Sequence, residues 1–312
     1  MAYRDQLLQI KAEATSGTLE TMAGADVVQV GQFTPTIQDF GAAERSMLSA
    51  RPGTPVPAVM VNRLMSFEAP FEFSGSGTAG TAAGLDKHLM AASLNKAVVG
   101  GTSVVYGLAW PPPATTYSVG FFLDGVRYAC AGARVESITI SAKAGEVVTA
   151  TAAYKGLYRA PSTLANPTPT FPTQAPAVAF NSANTPAGGL TLAGVAICVE
   201  EFELTIANTT ELYDHAGCTP HIDHTDRAVT GSITIARPPI ATLDVLTNAA
   251  SSTLGALVLP WGTTAGNITT LTLPQIQLAP VGLVDIRGKV GLKLDFTMIS
   301  SASNQEISIA QT

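Results

Sequence analysis

Hydrophobic side chains recur at every second position over most of the chain. In the first such stretch the apolar residues are Met65, Phe67, Ala69, Phe71 and Phe73, and mostly polar residues stand between them. A period of two places one set of side chains on each face of a β-strand. The pattern therefore predicts a strand with one buried face and one polar face.

The same succession of patterns occurs twice. Residues from about 60 to 155 and from about 200 to 305 each run through an alternating strand, a short helix, a strand that ends in tryptophan (Trp110 or Trp261) and further strands. The first copy opens at Arg63 and the second at Arg227. Sequence identity between the halves is low, so the repeat is inferred from order and period. It predicts a duplicated β module.

Two short helices interrupt the strands. Leu85, Leu89 and Ala92 lie at i, i+4 and i+7, which predicts a helix of about twelve residues. The matching helix in the second half is predicted to start at Pro239, since proline suits the first helical turn. Its apolar stripe consists of Ile240, Leu243 and Leu246.

Turn and strand signals complete the first module. Asp124-Gly125 between two apolar runs is a strong hairpin signal. Alternation then predicts strands at 126–130, 135–141 and 147–154. In the second module, strands are predicted around 202–206 and 292–298. Two short helices among so many strands indicate a mainly β fold.

Proline content and periodicity divide the chain into four parts. Residues 1–58 are predicted to form an N-terminal arm and loops, whose short alternating stretches favour strands that pair with another element, including one of a neighbouring subunit. Residues 59–158 form the first module, and residues 191–312 form the second. Residues 159–190 are rich in proline and are expected to be a stiff extended linker.

The composition restricts the classes of function. Charged residues make up 13% of the 312 residues, against about 25% in ordinary soluble domains. The net charge of −6 argues against a protein that grips nucleic acid, because phosphate contacts need clustered Lys and Arg. No secretory signal and no apolar stretch long enough for a membrane span is recognised. The cysteines, Cys130, Cys198 and Cys218, are expected to be reduced thiols.

A glycine-rich run raises the question of a cofactor site. Gly75, Gly77 and Gly80 match the spacing of the dinucleotide fingerprint after a strand and before a helix. The preceding strand is polar on one face, unlike a central parallel strand. No acidic residue follows Asp86 until Asp124, so the expected ribose-binding carboxylate is missing. A flexible glycine-rich connection is the preferred interpretation, and no cofactor is predicted.

The densest polar cluster lies between residues 214 and 226. His215, Cys218, His221 and His224 have side chains that ligate zinc in other proteins. Their spacing fits no standard zinc motif, and on a strand His221 and His224 point to opposite faces. A solvated loop and strand edge is the preferred interpretation, without a predicted metal site.

The sequence predicts no catalytic residues. It contains no nucleophile elbow, phosphate-binding loop or paired-histidine zinc motif. Cys218 near His215 resembles a nucleophile with a base, but nothing in the pattern supplies a third group or an oxyanion donor. The expectation is a protein without enzymatic activity.

Five segments carry a resemblance to a known family, and they are Phe67–Ala82, Gly132–Ala150, Tyr154–Ser162, Thr225–Ile235 and Gly262–Leu271. They resemble the tail tube (major tail) proteins of bacteriophages with long, non-contractile tails. The similarity covers nearly the whole chain in the order of that family.

The resemblance implies a fold and a role. Such proteins are β-sandwich modules with one short flanking helix, whose inner sheets join around a ring. Two modules in one chain imply a homotrimeric ring with pseudo-sixfold symmetry, although a hexamer remains possible. Stacked rings would form the virion tail tube, assembled in the host cytoplasm. The implied partners are further copies of the chain, the tape measure protein, the tail terminator and the distal tail protein, with DNA passing through the lumen without specific binding.

Two alternatives remain open at this stage. One is a non-enzymatic tail component that binds a receptor or a carbohydrate through a β-sandwich. Sugar binding would need exposed aromatic residues, and aromatic residues make up 6% of the chain. The other is a zinc enzyme built on the cluster at 214–226.

Overall fold

The computed structural model describes residues 6–45, 56–186, 188–300 and 306–312. Strands account for 53% and helices for 5% of the chain, which confirms the prediction of a mainly β fold. Every strand pair is antiparallel. None of the helices in these residues is long and apolar enough to cross a membrane.

The first half of the chain contains nine strands, one 3-10 turn and one α-helix within the described residues. They are β1 (Leu7–Ala12), a 3-10 turn (Gly24–Asp26), β2 (Val27–Val28), β3 (Thr36–Ala43), β4 (Val59–Glu72), α1 (Asp86–Ala91), β5 (Leu94–Val99), β6 (Ser103–Leu108), β7 (Tyr117–Leu123), β8 (Val126–Lys143) and β9 (Thr149–Thr163).

The second half also contains nine strands and one α-helix within the described residues. Its elements are β10 (Thr191–Leu192), β11 (Val195–Ala196), β12 (Val199–Tyr213), β13 (His221–Ala236), α2 (Val245–Ala250), β14 (Gly255–Trp261), β15 (Thr269–Leu278), β16 (Gly282–Ile286), β17 (Lys289–Met298) and β18 (Ser308–Gln311).

Eight long strands form one continuous sheet, called the inner sheet below. Their order is β3-β4-β9-β8-β12-β13-β17-β16. The first four belong to the first half of the chain and the last four to the second half. Both halves repeat the same connectivity, because β3–β4 and β12–β13 are hairpins and the remaining pair in each half, β8–β9 or β16–β17, is also a hairpin.

A second layer covers the apolar face of the inner sheet. Its strand order is β5-β6-β18-β15-β14-β10-β11. Strand β18, at the end of the chain, lies between β6 of the first half and β15 of the second. Strand β15 also pairs with β17, which joins the two layers at one corner.

The core lies between the two layers and is continuous across both halves. Phe202 of β12 packs against Trp261 of β14 with 6.0 Å between ring centroids. Phe73, after β4, contacts the same Trp261 at 5.8 Å. The ring of Trp261 therefore connects residues that are far apart in the sequence and belong to different layers.

The tryptophans predicted to stand at equivalent strand ends differ in burial. Trp261 ends β14 and is 1% exposed. Trp110 lies two residues beyond β6 and is 45% exposed, although its ring carries a cation–π contact from Arg227. The prediction of a strand ending in tryptophan is therefore correct for the second half and two residues too long for the first.

Tight turns agree with the sequence prediction. Asp124 and Gly125 join β7 to β8 with φ of 52° and 74°, the left-handed values that a type I′ hairpin needs. Arg287 and Gly288 join β16 to β17 with φ of 52° and 82°. The second hairpin was not predicted, because arginine is a less common residue than asparagine or aspartate in the first position.

The helices are shorter than predicted, and one begins later. Helix α1 has six residues in place of about twelve. Helix α2 begins at Val245, because Asp244 caps it by accepting a hydrogen bond from the backbone N–H of Thr247 at 3.0 Å. Pro239 instead starts a turn, and Ile240 is exposed. The predicted stripe starting at Ile240 is therefore wrong.

The predicted strands at 126–130 and 135–141 are parts of one strand, β8, which bends at irregularities in its pairing with β9. Strand β9 continues beyond residue 154 to Thr163.

Strand β1 pairs with β7 of the same chain. The N-terminal segment is also held by Glu13, whose buried carboxylate accepts hydrogen bonds from Gly17, Thr116, Ser118 and Gly132.

Candidate assembly surfaces

The inner sheet has one apolar face toward the core and one polar face toward solvent. On β12, Phe202, Leu204 and Ile206 are buried, whereas the intervening Glu201 and Glu203 are exposed. Strands β4, β9, β8, β13 and β17 alternate in the same phase. The outward side chains of these six strands are called the polar face.

The polar face is rich in small hydroxyl residues and carries more carboxylates than amines. Its charged residues include Glu68, Glu72, Glu136, Lys143, Lys155, Glu201, Glu203, Glu211, Asp226, Lys289, Lys293 and Asp295. Among these residues, eight carboxylates stand against four lysines. The Lys155–Glu136 pair, at 3.7 Å, is half exposed and adds little to stability.

A lateral junction joins the halves of the chain within the inner sheet. Strands β8 and β12 pair over seven consecutive residues, from Ser137 opposite Ala207 to Lys143 opposite Glu201. At its centre the Oγ1 atoms of Thr139 and Thr205 lie 3.1 Å apart. On the core side Ile138, Ile140, Leu204 and Ile206 are buried. The junction is thus built like the interior of a single sheet.

Both ends of the inner sheet are open edges. Within the described residues, no strand pairs with the outer edge of β3 or of β16. An unpaired edge presents a row of backbone N–H and C=O groups that another strand can bind. Leu283 on β16 is 72% exposed and Val290 on β17 is 55% exposed. The outer end of the second half therefore combines free hydrogen-bonding groups with exposed apolar surface.

The histidine and cysteine residues of the 214–226 cluster do not converge. His215 and Cys218 are exposed in the loop between β12 and β13. His221 stacks on Tyr213, with 5.2 Å between ring centroids, on one face of β13. His224 is buried on the other face, where its Nδ1 lies 2.6 Å from Ser93 Oγ. Among the residues that the structure describes, no group of three or more His, Cys, Asp and Glu side chains is arranged to hold a metal.

The carboxylate of Asp223 pairs with an arginine and not with a metal ligand set. Arg134 Nη2 donates to Asp223 Oδ1 at 3.0 Å, and Arg134 Nε donates to the carbonyl of Ile222 at 2.9 Å. Burial lowers the pKa of Arg134, and the nearby Asp223 carboxylate opposes that shift. The pair fixes the start of β13 against β8.

The glycine-rich run packs against another loop. Gly75 N–H donates to Asn267 Oδ1 at 2.8 Å, and Gly77 N–H donates to the carbonyl of Gly266 at 3.0 Å. A Cβ on Gly75 would collide with the carbonyl of Gly266. The prediction of a flexible connection is thus wrong for this part of the run, because the glycines allow two backbones to touch.

Substitution of Gly266 by Ala should lower the free energy of unfolding by about 2–3 kcal/mol. Gly266 has a φ of 82°, and a Cβ there would meet the backbone of Gly77 and Thr78. Denaturant unfolding measures the loss. Gly100→Ala is the matched control, since nothing lies within 4 Å of its Cβ, and it should change stability by less than about 0.5 kcal/mol. Equal effects of the two substitutions would contradict the packing role.

Sequence reasoning missed both edges of the inner sheet. The signal for β16 was present in the apolar run Val281–Ile286, followed by Arg287-Gly288. The signal for the β3 edge was weaker, since its residues alternate less regularly. Neither signal indicates that an edge is left open, because this depends on which strands pair in the folded chain.

The sequence of the chain was compared with known protein families and with curated proteins. The model of one family, described as phage tail tube protein, matches residues 4–298. No curated protein matches the chain at a significant level.

Proposed function

Because the chain belongs to the phage tail tube protein family, which comprises structural components of the virion tail, we propose that three copies close into a ring and that stacked rings form a conduit for DNA. Each chain supplies two modules, 59–158 with β3 added from the N-terminal segment, and 191–312, so that the ring has pseudo-sixfold symmetry. The single observation that carries this proposal is the inner sheet, with its polar face and two open edges.

The order of strands supports the two-module description. Strands β3-β4-β9-β8 of the first half follow one another across the sheet as β12-β13-β17-β16 do in the second. The junction of β8 with β12 is a contact between modules inside one chain. An equivalent contact between β16 of one copy and the start of β3, with the residues before it, in the next copy would pair the two sheets and close them into a barrel.

The size of the barrel favours three copies. Three sheets of eight strands, spaced about 4.8 Å apart, give a circumference of roughly 115 Å and a backbone diameter of roughly 37 Å before strand tilt is included. Such a barrel is wide enough for a DNA duplex. A ring of six copies would be about twice as wide, which would leave most of the lumen unused.

The polar face suits the wall of a conduit. An excess of carboxylates repels DNA phosphates, and solvent limits this repulsion to a Debye length of about 8 Å. Tight binding would require several Lys or Arg contacts with phosphates, each releasing counterions. Because carboxylates outnumber lysines on the described part of the polar face, DNA should pass without specific binding.

The proposed partners follow from a tube of stacked rings. The tape measure protein would occupy the lumen before DNA, whereas the tail terminator and the distal tail protein would contact its ends. The free thiols, of which Cys198 and Cys218 are exposed, suit assembly in the reducing host cytoplasm.

Electron microscopy of the purified protein tests the proposal. Rings or tubes with three copies per ring and a backbone diameter of at least about 37 Å are expected, since strand tilt widens a barrel. Six copies per ring would refute the stoichiometry but retain the conduit. A compact monomer that persists at high protein concentration would contradict ring formation itself.

A further inference from the structure

We infer that the contact between neighbouring copies repeats, residue by residue, the β8–β12 junction within one chain, so that Gly282 of one copy lies opposite Thr36 of the next. This inference rests on the proposed ring, and it adds the partner strands and their register. The occupant of the open β16 edge is thus a second copy of the chain, bound through β3 and the residues before it.

The register follows from the pairings of the central strands. Thr230 of β13 lies opposite Thr205 of β12 and Thr297 of β17. In the first half, Ser66 of β4 lies opposite Thr36 of β3 and Lys155 of β9. Ser66 and Thr230 are equivalent, because each lies three residues after the arginine that opens its half, Arg63 or Arg227. Thr36 therefore occupies in the first half the position that Thr205 occupies in the second.

The same comparison locates the partner on β16. Thr139 of β8 pairs with Thr151, four residues before Lys155 on β9. Gly282 of β16 pairs with Lys293, four residues before Thr297 on β17. Gly282 is therefore equivalent to Thr139, whose partner across the internal junction is Thr205. Replacing each residue by its equivalent places Gly282 opposite Thr36.

Burial agrees with this register. Leu283 is equivalent to Ile140, because each follows the anchor residue by one position. Ile140 is 0% exposed and Leu283 is 72% exposed, although both stand on the core side of their strand. The difference arises because β12 borders Ile140, whereas nothing in the described part of the chain pairs along the outer edge of β16. A neighbouring copy would bury Leu283 as β12 buries Ile140.

The segment before β3 already has the position that binding of β16 from a neighbouring copy requires. Counting back three residues from Thr36 and from Thr205 makes Phe33 equivalent to Phe202, and both are 4% exposed. Residue 31 is held against β4 by a hydrogen bond from Gly31 N–H to the carbonyl of Pro70 at 2.7 Å. The segment preceding β3 therefore already lies along β4, as β12 lies along β13.

Disulfide cross-linking tests the register. The full chain carrying Thr36→Cys and Gly282→Cys, with Cys198 and Cys218 replaced by Ser, is assembled and then oxidised gently. Under non-reducing conditions, most of the protein should migrate as covalent dimers and trimers. The two positions lie at opposite ends of an eight-strand sheet, roughly 34 Å apart at 4.8 Å per strand, so a bond within one chain is not expected.

Two control pairs complete the design. Thr139→Cys with Thr205→Cys should close within one chain, which shows that this pair geometry supports a disulfide. In the pair Thr36→Cys with Lys289→Cys, Lys289 lies opposite Ile286, four positions from Gly282 along the sheet and one strand further from the edge. This pair should give at least tenfold less cross-linked product.

The outcomes separate the two levels of the proposal. Rings without the Thr36–Gly282 cross-link, in a preparation where the Thr139–Thr205 pair closes, would overturn the register but leave the ring intact. Equal cross-linking of the displaced pair would also overturn it. Absence of rings and tubes from the parent protein would refute the proposed function on which the register depends.

Discussion

Lowering the pH from 7 to 4.5 should remove about 5 kcal/mol from the free energy of unfolding of the unassembled subunit. The reason is that two buried histidines, His88 and His224, resist protonation in the folded chain but accept a proton at their ordinary pKa of 6.5 once it unfolds.

His88 lies on α1 inside the first half of the core. Its ring stacks on Phe71 with 4.3 Å between centroids, and its Nδ1 lies 2.8 Å from the Tyr154 hydroxyl. Its Nε2 is buried and has no hydrogen-bond partner among the described residues. Burial, together with the positive charge of neighbouring Lys87, lowers the pKa of His88 to about 3.

His224 lies on β13 beside the internal junction. Burial is the largest cause of its lowered pKa of about 4, and the positive charge of Arg134 is the next. A hydrogen bond with the backbone of Val135 and the Asp223 carboxylate raise this pKa by less than either of these causes lowers it, and Arg227 lowers it by the smallest amount. The neutral imidazole is therefore the folded form at neutral pH.

The direction of the pH effect follows from proton uptake. Above pH 6.5 both states hold these imidazoles neutral, so stability does not depend on them. Below pH 6.5 the unfolded chain binds two more protons than the folded chain, and stability falls by about 1.4 kcal/mol per histidine for each pH unit until the folded pKa is reached.

Denaturant unfolding of the subunit at several pH values between 7 and 4.5 measures the slope. His88→Asn and His224→Asn keep a polar group near the position of Nδ1 and should each remove about half of the pH dependence. His215→Asn, in an exposed loop, should leave the profile unchanged. A stability that stays constant from pH 6.5 to 4.5 would refute the assignment.

Removal of residues 307–312 should prevent the chain from folding cooperatively. Strand β18 fills the gap between β6 and β15, and without it both strands lose a hydrogen-bonded neighbour. Ile307 and Ile309 are buried in the core. The carbonyl of Thr312 also accepts hydrogen bonds from the backbone N–H groups of Gly266 and Ile268, at 2.9 and 3.2 Å.

A milder substitution keeps this prediction measurable. Ile309→Ala should lower the free energy of unfolding by about 2–4 kcal/mol, since Ile309 is 0% exposed and its removal leaves a cavity. Ile240→Ala is the matched control, because Ile240 is 61% exposed and its loss should cost less than about 0.5 kcal/mol. Similar stabilities for the two variants in guanidinium unfolding would mean that β18 is not part of the cooperative core.

Local pattern was a reliable guide where one interaction dominated. Alternation along residues 63–74 and 292–298 predicted the faces of β4 and β17, because a strand must turn successive side chains to opposite sides. The left-handed φ preference of Asp124-Gly125 predicted a hairpin. The opposite directions of His221 and His224 followed from the same period of two.

Local pattern failed where two interactions competed. The apolar spacing of Ile240, Leu243 and Leu246 resembled a helix, but Asp244 caps the chain further along, and the turn from Pro239 leaves Ile240 exposed. The glycines at 75–80 were interpreted as flexible, whereas they allow contact with a loop nearly two hundred residues away. Nothing near these glycines in the sequence indicates that distant loop.

Sequence periodicity therefore predicted the β class and the two-sided strands. Composition showed the paucity of positive charge, and five segments of the chain carried the resemblance to tail tube proteins. The position of β18 between two halves, the pairing of β8 with β12 and the open edges at β3 and β16 required the folded chain. The physical reason is that alternation reports only which side of a strand is apolar. Which strands become neighbours depends on backbone hydrogen bonds and packing between residues far apart in the sequence, and these contacts define the surfaces available for assembly.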